Sequence, residues 1–336
     1  MIKLQNAKKI GPGYKFFKFL SDRYHDNLYY RRVEYTGVEN IPENKPVLIG
    51  PNHQNALIDA MAILASKRSQ APVFLARSDI FSTDFLGNFF ISLKILPVYR
   101  LRDGKDKLAK NEEIFDLSVE VLEENKVLVI FPEAEHTGYR SILTLKKGLM
   151  RVAYHTAEKN NFEIDLHIVP PGISYENYYK YRAKLLVNYG KPIRIVDYKE
   201  KYMENPQSAL LILKKDLQEA IEGLAIHIKN KEHYETFENS RELYDFTVAA
   251  KENLNLKKLS DKFKCDKKII AKFNNLVEQK PEKFTEYKIK ITEYFSNLKK
   301  SKMKDYLFDN PISLTGNLVV SLLWLILSPL LITGFI

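Results

Sequence analysis

The chain has 336 residues, of which 45% are hydrophobic and 28% charged, a balance that supports a sizeable core and excludes wholesale disorder. Its 52 Lys and Arg against 42 Asp and Glu leave a net charge of +10, which favours partners carrying phosphate: nucleic acid, anionic lipid or a phosphorylated small substrate. The lone cysteine, Cys265, excludes an intrachain disulfide.

Residues 1–38 mix aromatic rings with cations. Tyr14, Phe16, Phe17, Phe19, Tyr24, Tyr29 and Tyr30 stand among Lys15, Lys18, Arg23, Arg31 and Arg32. Lys15, Lys18, Asp22 and Arg23 interrupt the apolar residues, so the segment does not read as a secretory signal. Two readings stay open: a helix lying in a lipid headgroup layer, and an ordinary N-terminal helix packed on the domain that follows.

From about Pro46 short apolar runs alternate with helical stretches. PVLIGPN predicts a strand, then a helix over 57–66. PVFLAR predicts a strand and 84–93 a helix. ILPVYR is a strand, 107–124 a charged amphipathic helix, KVLVIFPE a buried strand and 146–158 a helix. DLHIVPPGISY and KLLVNYGKPI complete the apolar runs. Residues 39–205 therefore predict an α/β domain, a mixed, largely parallel sheet flanked by helices.

Residues 206–313 are rich in Lys, Glu and Leu at helical spacing and read as a helical extension. Residues 314–336 carry no charge at all (LTGNLVVSLLWLILSPLLITGFI). About 20 such residues, rising roughly 1.5 Å each, span a hydrocarbon core of roughly 30 Å, so this predicts a membrane segment. Pro329 leaves a kinked, half-inserted element open as an alternative. The preceding cluster Lys299-Lys300-Ser301-Lys302-Met303-Lys304 belongs on the cytoplasmic side. That predicts a membrane-bound protein with its upstream domain on that side, either tail-anchored or part of something longer.

The chemistry gathers where strands end. After the first strand comes Asn52-His53-Gln54-Asn55-Ala56-Leu57-Ile58-Asp59. A His there, with an Asp opening the next helix, forms a base and its orienting carboxylate. Six positions along a continuous helix would put the two on different faces, so a turn must join them. Arg77 ends the second strand. Glu133, His136, Tyr139, Arg140 and Ser141 follow VLVIF, then Lys146 and Lys147, and a later strand reaches Pro170 and Pro171. Loops at the carboxyl ends of sheet strands are where α/β proteins assemble their sites. The remaining His residues are scattered without ligand spacing, so no metal is expected. No nucleic-acid-binding module is recognisable, so nucleic acid is not an expected partner.

Taken in order, the four blocks resemble the glycerol-phosphate and lysophosphatidate acyltransferase family, whose motifs are NHxxxxD, an arginine-bearing second block, FPEG-S/T-R and an apolar VP block. The resemblance covers roughly residues 39–191. It implies the glycerolipid acyltransferase fold, with His53 as general base and Asp59 as its orienting carboxylate. It also implies phosphate binding by Arg77 and by the third block, here Glu133, His136, Arg140, Lys146 and Lys147, and an apolar acyl site shaped by Pro170 and Pro171. The implied reaction moves a fatty acyl group to a hydroxyl of glycerol 3-phosphate or a lysophospholipid in a membrane of phospholipids. No cofactor is implied; acyl-CoA or acyl-carrier protein is the co-substrate. Two departures stand out. Five residues separate His53 from Asp59 where four are common, although some glycerol 3-phosphate acyltransferases carry the longer form. The third block reads FPEAEHTGYRS in place of FPEGTRS, with His136 where the arginine stands and Arg140 four residues later. The alternative is a lipid-binding or scaffold protein that keeps the fold without the catalysis.

Overall fold

The computed structural model describes residues 3–66, 70–99, 110–135 and 137–303. The chain divides into two compact units. The first runs to Lys229 and takes in Lys257–Phe263; the second comprises Asn230–Leu256 and the residues after Phe263.

In the first unit, helix α1 (Pro12–Arg23) opens with proline at its first position, where a missing N–H is harmless. It turns its polar side inward. Lys18 and Asp22 are buried, and Lys18 Nζ lies 2.9 Å from Asp22 Oδ2 and from the Leu64 carbonyl. Phe16 and Phe19 are 66% and 56% exposed. A π-helical turn, Tyr24–Tyr29, leads to strand β1 (Arg32–Thr36). Then follow β2 (Val47–Ile49), α2 (Ala56–Ser66), β3 (Val73–Arg77), α3 (Asp84–Ser92), β4 (Ile95–Val98), α4 (Lys110–Glu123), β5 (Val127–Val129) and α5 (Gly148–Lys159). After them come β6 (His167–Val169), β7 (Pro171–Tyr175), β8 (Lys184–Tyr189), β9 (Ile193–Arg194), α6 (Lys199–Glu204) and α7 (Pro206–Leu224).

A six-stranded sheet has the order β4-β3-β5-β2-β6-β9, parallel except for β9. A three-stranded sheet, β1-β8-β7, pairs β1 with β8 in parallel and β7 with β8 antiparallel. Strand alternation divides the core in two. Leu48, Leu128 and Ile168 join Leu117, Val121, Leu149, Leu213 and Leu217 in one cluster. Val47, Ile49, Val127, Val129 and Val169 join Ala62, Ile63, Leu185 and Val187 in the other. Each fully buried aliphatic side chain contributes roughly 1.5–3 kcal/mol. Both faces of the sheet are covered, which is why its strands read as continuous apolar runs.

Two boundaries differ from the sequence expectation. The run DLHIVPPGISY is two strands in two sheets, parted at Pro170, which has no N–H to place in a ladder. Helix α7 lies within the first unit rather than in a separate extension after residue 205, because Leu210, Leu213, Leu217 and Ile221 are buried in its core. No sequence pattern above predicts strand β1.

The second unit contains α8 (Tyr234–Leu243), α9 (Asp245–Glu252), most of α10 (Leu259–Gln279) and α11 (Pro281–Lys300). Phe237, Phe273 and Phe284 pack within it, and part-buried Arg241 reaches buried Asp266 at 2.7 Å. Among the described residues no helix is long and apolar enough to cross a membrane. The expected segment, residues 314–336, lies outside the described residues.

Candidate active site

Five parallel strands present their carboxyl ends along one edge, and the site is built in the turn leaving β2. Asn52 anchors that turn. Its buried side chain donates to the Ile173 carbonyl at 3.0 Å and accepts from the Ile173 N–H at 2.6 Å, tying the turn to β7. Gln54 Nε2 reaches the Ser141 carbonyl at 3.4 Å, and Asn55 Nδ2 the Tyr178 carbonyl at 2.7 Å. The His53 N–H donates to Glu133 Oε1 at 2.7 Å. Four consecutive residues are thus held by two segments, the loop after β5 and the end of β7 with the residues that follow it.

Into this frame His53 sets its ring, with Nδ1 2.8 Å from Asp59 Oδ2. The His53 side chain is 18% exposed and that of Asp59 is 0%. Oδ2 also accepts the N–H groups of Gln54 and Asn55, each at 2.7 Å, and Oδ1 accepts the Tyr175 hydroxyl. A carboxylate is acceptor-only when ionised and can take several donors, so the four around Asp59 suit the anion. Asp59 assigns the proton to His53 Nδ1 and so puts the basic lone pair on Nε2. Phe131 lies against the imidazole, ring centroids 4.5 Å apart.

One backbone position between His53 and Asp59 is unusual. Ala56 opens α2 with φ +43°, in the left-handed region, turning the chain before the helix begins. Asp59, in the first turn of α2, then reaches back over the turn to His53.

Glu133 is buried completely, and its two oxygens accept from His53 N–H and, at 2.6 Å, from Leu143 N–H. Burial pushes its carboxyl up to about 7, while the two backbone donors and nearby His53 pull the other way. It stands as a brace between the two blocks, with both oxygens on backbone rather than presented to a ligand. The loop it closes is irregular, and side chains satisfy its N–H groups: Ile142 donates to His227 Nδ1 at 2.9 Å and Leu145 to Gln218 Oε1 at 3.1 Å. Ala134, where the resembling family has glycine, holds φ +61°.

The cations occupy the same edge. Arg77 ends β3, two strands from β2, hence about 10 Å to the side. Its half-exposed side chain pairs with Asp79. Arg140 Nη2 donates to the carbonyls of Tyr175 and Glu176 at 3.0 and 2.9 Å, with the guanidinium 5.3 Å from the Tyr178 ring centre. Lys146 and Lys147 are exposed directly before α5, whose first turn has no acidic residue. His136 lies outside the described residues. Pro170 and Pro171 are buried at the passage between sheets: Pro170 accepts from Gly190 N–H at 2.9 Å, and Pro171 pairs with Tyr189. Among the described residues no three of His, Cys, Asp and Glu are grouped as metal ligands would be.

The sequence points to His53 and Asp59, which the structure brings together, and gives no role to Asn52, Gln54, Asn55 or Tyr175. Their partners lie 87 to 123 residues away, and no local periodicity encodes such contacts.

Residues 32–174 match the family model described as Acyltransferase. Over 117 residues the chain is 29% identical to Glycerol-3-phosphate O-acyltransferase 1 of Saccharomyces cerevisiae. That stretch is 35% of this chain and 15% of the yeast protein, so the chain spans a small part of that relative's length. A crystal structure of the 1-acyl-sn-glycerophosphate acyltransferase PlsC from Thermotoga maritima is similar with a TM-score of 0.42 and 18% identity. That match covers 61% of this chain and 78% of the other.

Proposed function

We propose that this chain, whose residues 32–174 match the Acyltransferase family model, moves a fatty acyl group from an acyl thioester to a hydroxyl of glycerol 3-phosphate or lysophosphatidate in phospholipid synthesis. The observation that carries the reading is the imidazole of His53 held at 2.8 Å by a buried carboxylate. An alcohol is a poor nucleophile until a positioned base takes its proton during attack. His53 Nε2 removes the acceptor's hydroxyl proton as that oxygen bonds to the thioester carbonyl carbon. Asp59 stabilises the imidazolium that forms. When the tetrahedral intermediate collapses, the C–S bond breaks and the imidazolium returns the proton to the departing thiolate. Acyl-CoA and an acyl-carrier protein both fit this donor chemistry.

The acceptor's phosphate is assigned to Arg77, Arg140, Lys146 and Lys147. Cations beside a helix N-terminus are unfavourable by about 0.3–1 kcal/mol each. Lys146 and Lys147 before α5 therefore support an anion as their partner. Membrane phospholipids are the proposed setting, with the domain on the cytoplasmic side. The inverted helix α1 supports the lipid setting, since it buries an ion pair and exposes Phe16, Phe17, Phe19 and Leu20. A second reading, a lipid-binding protein without catalysis, draws on Arg77 and Arg140 being engaged with Asp79 and with backbone carbonyls.

One assay separates the two. The protein, purified in detergent, is given radiolabelled oleoyl-CoA with glycerol 3-phosphate or lysophosphatidate, and wild type is compared with His53→Ala. Acyl transfer by wild type and a loss of about 100-fold or more in the variant are expected. Equal rates remove His53 from the mechanism, and no transfer to any acceptor from either donor class favours the binding protein.

A further inference from the structure

The mechanism above uses one oxygen of Asp59, and the other is held by a residue to which nothing so far gives a part in the chemistry. Tyr175 ends β7 in register with Leu185, is 4% exposed, and donates its hydroxyl to Asp59 Oδ1. Its own position is fixed from three sides. Arg140 Nη2 donates to its carbonyl, Tyr178 packs against its ring with centroids 5.5 Å apart, and the Tyr30 ring lies on it with centroids 6.2 Å apart. Tyr30 is 1% exposed. Burial, and then the charge of Asp59, hold the Tyr175 hydroxyl well above the ordinary tyrosine range, so it keeps its proton and donates. Burial raises Tyr30 likewise. A protonated, buried phenol therefore holds the carboxylate oxygen that does not meet His53.

We propose that Tyr175 is a positioning residue of the dyad, its hydroxyl fixing Asp59 so that Oδ2 stays on His53 Nδ1; this rests on the acyl-transfer reading above. The physical need is specific. The terminal torsion of an aspartate is broad, with no sharp rotamer wells to fix the plane of the carboxylate. Oδ2 must meet three N–H donors at once, two from backbone and one from the imidazole. Anchoring Oδ1 removes the rotation that would take Oδ2 off the imidazole. Phenylalanine at 175 keeps the ring and deletes only that anchor.

The test uses the full chain in detergent with saturating donor and acceptor. Tyr175→Phe is expected to lower kcat about tenfold, the weight of one hydrogen bond to a charged group, with both KM values within about twofold of wild type. In an Asp59→Asn background the same substitution is expected to change kcat by less than about twofold, because its partner is no longer a carboxylate. An unchanged kcat in folded Tyr175→Phe overturns the proposal. So does a tenfold loss that persists in the Asp59→Asn background, since the hydroxyl would then act elsewhere. If Tyr175→Phe does not fold, 3-fluorotyrosine placed at 175 carries the test, since it keeps the hydroxyl and changes only its donor strength: a kcat shifted about threefold at constant KM supports the proposal, and an unchanged kcat overturns it. A wild type without transferase activity defeats the acyl-transfer reading alone. The His53 Nδ1–H proton resonance, recorded without substrate, then decides: it moves in the variant if Tyr175 positions Asp59, and it stays in place if not.

Discussion

Replacing Asp59 by asparagine tests the dyad most directly, because the amide keeps the shape and deletes the charge. The Asn carbonyl can keep the three donors at the Oδ2 position, and its NH2 meets the Tyr175 hydroxyl, which can rotate to accept. Four hydrogen bonds then pass from charge-assisted to neutral, a loss of about 1 kcal/mol each. Relief of a buried charge offsets part of the resulting ~4 kcal/mol, leaving a net destabilisation of about 1–3 kcal/mol. The melting temperature should fall by several degrees, at about 2–4 °C per kcal/mol. Catalysis should suffer far more, since the imidazolium formed during attack loses its counter-charge; kcat should drop by about 10² to 10⁴. Thermal unfolding and initial rates at saturating acyl-CoA and acceptor measure the two effects. A folded Asp59→Asn protein with kcat within about tenfold of wild type would refute the assignment of Asp59 as the stabiliser of the imidazolium.

Two further outcomes concern the third block. Ala134→Gly should raise stability by about 0.5–1 kcal/mol, because the left-handed conformation at this exposed alanine costs more than the added chain entropy of glycine; a melting temperature that falls would contradict this. Glu133 binds its proton more tightly folded, at about 7, than its ordinary value of 4.5. Its favourable contribution is therefore complete below pH 4.5 and lost as pH rises through about 7, up to about 3 kcal/mol in all. The stability of wild type relative to Glu133→Gln should accordingly decline between pH 5 and pH 8 in denaturant titrations, and a flat difference would show that the carboxyl stays ionised throughout.

The strands were legible because both faces of the main sheet are buried, so Val47, Leu48 and Ile49 all had to be apolar. His53 and Asp59 were legible because base and carboxylate lie six residues apart in one turn. In the sequence Glu133 has the residue type and the loop of a ligand. Only the fold shows both of its oxygens on the backbone N–H groups of His53 and Leu143. Tyr175 gave no sign, being 116 residues from Asp59 and placed like any other inward residue of a strand. The Pro170 break was hidden because proline ends a ladder without ending an apolar run. Helix α7 looked detachable, since a Leu stripe at helical spacing does not say which partner it covers.

The left-handed alanine opening α2 has a consequence beyond this chain. A pattern that demands four intervening residues between imidazole and carboxylate passes over a protein whose two groups meet at 2.8 Å. In this chain the turn through Ala56, with φ +43°, brings the two groups to one meeting point across five intervening residues.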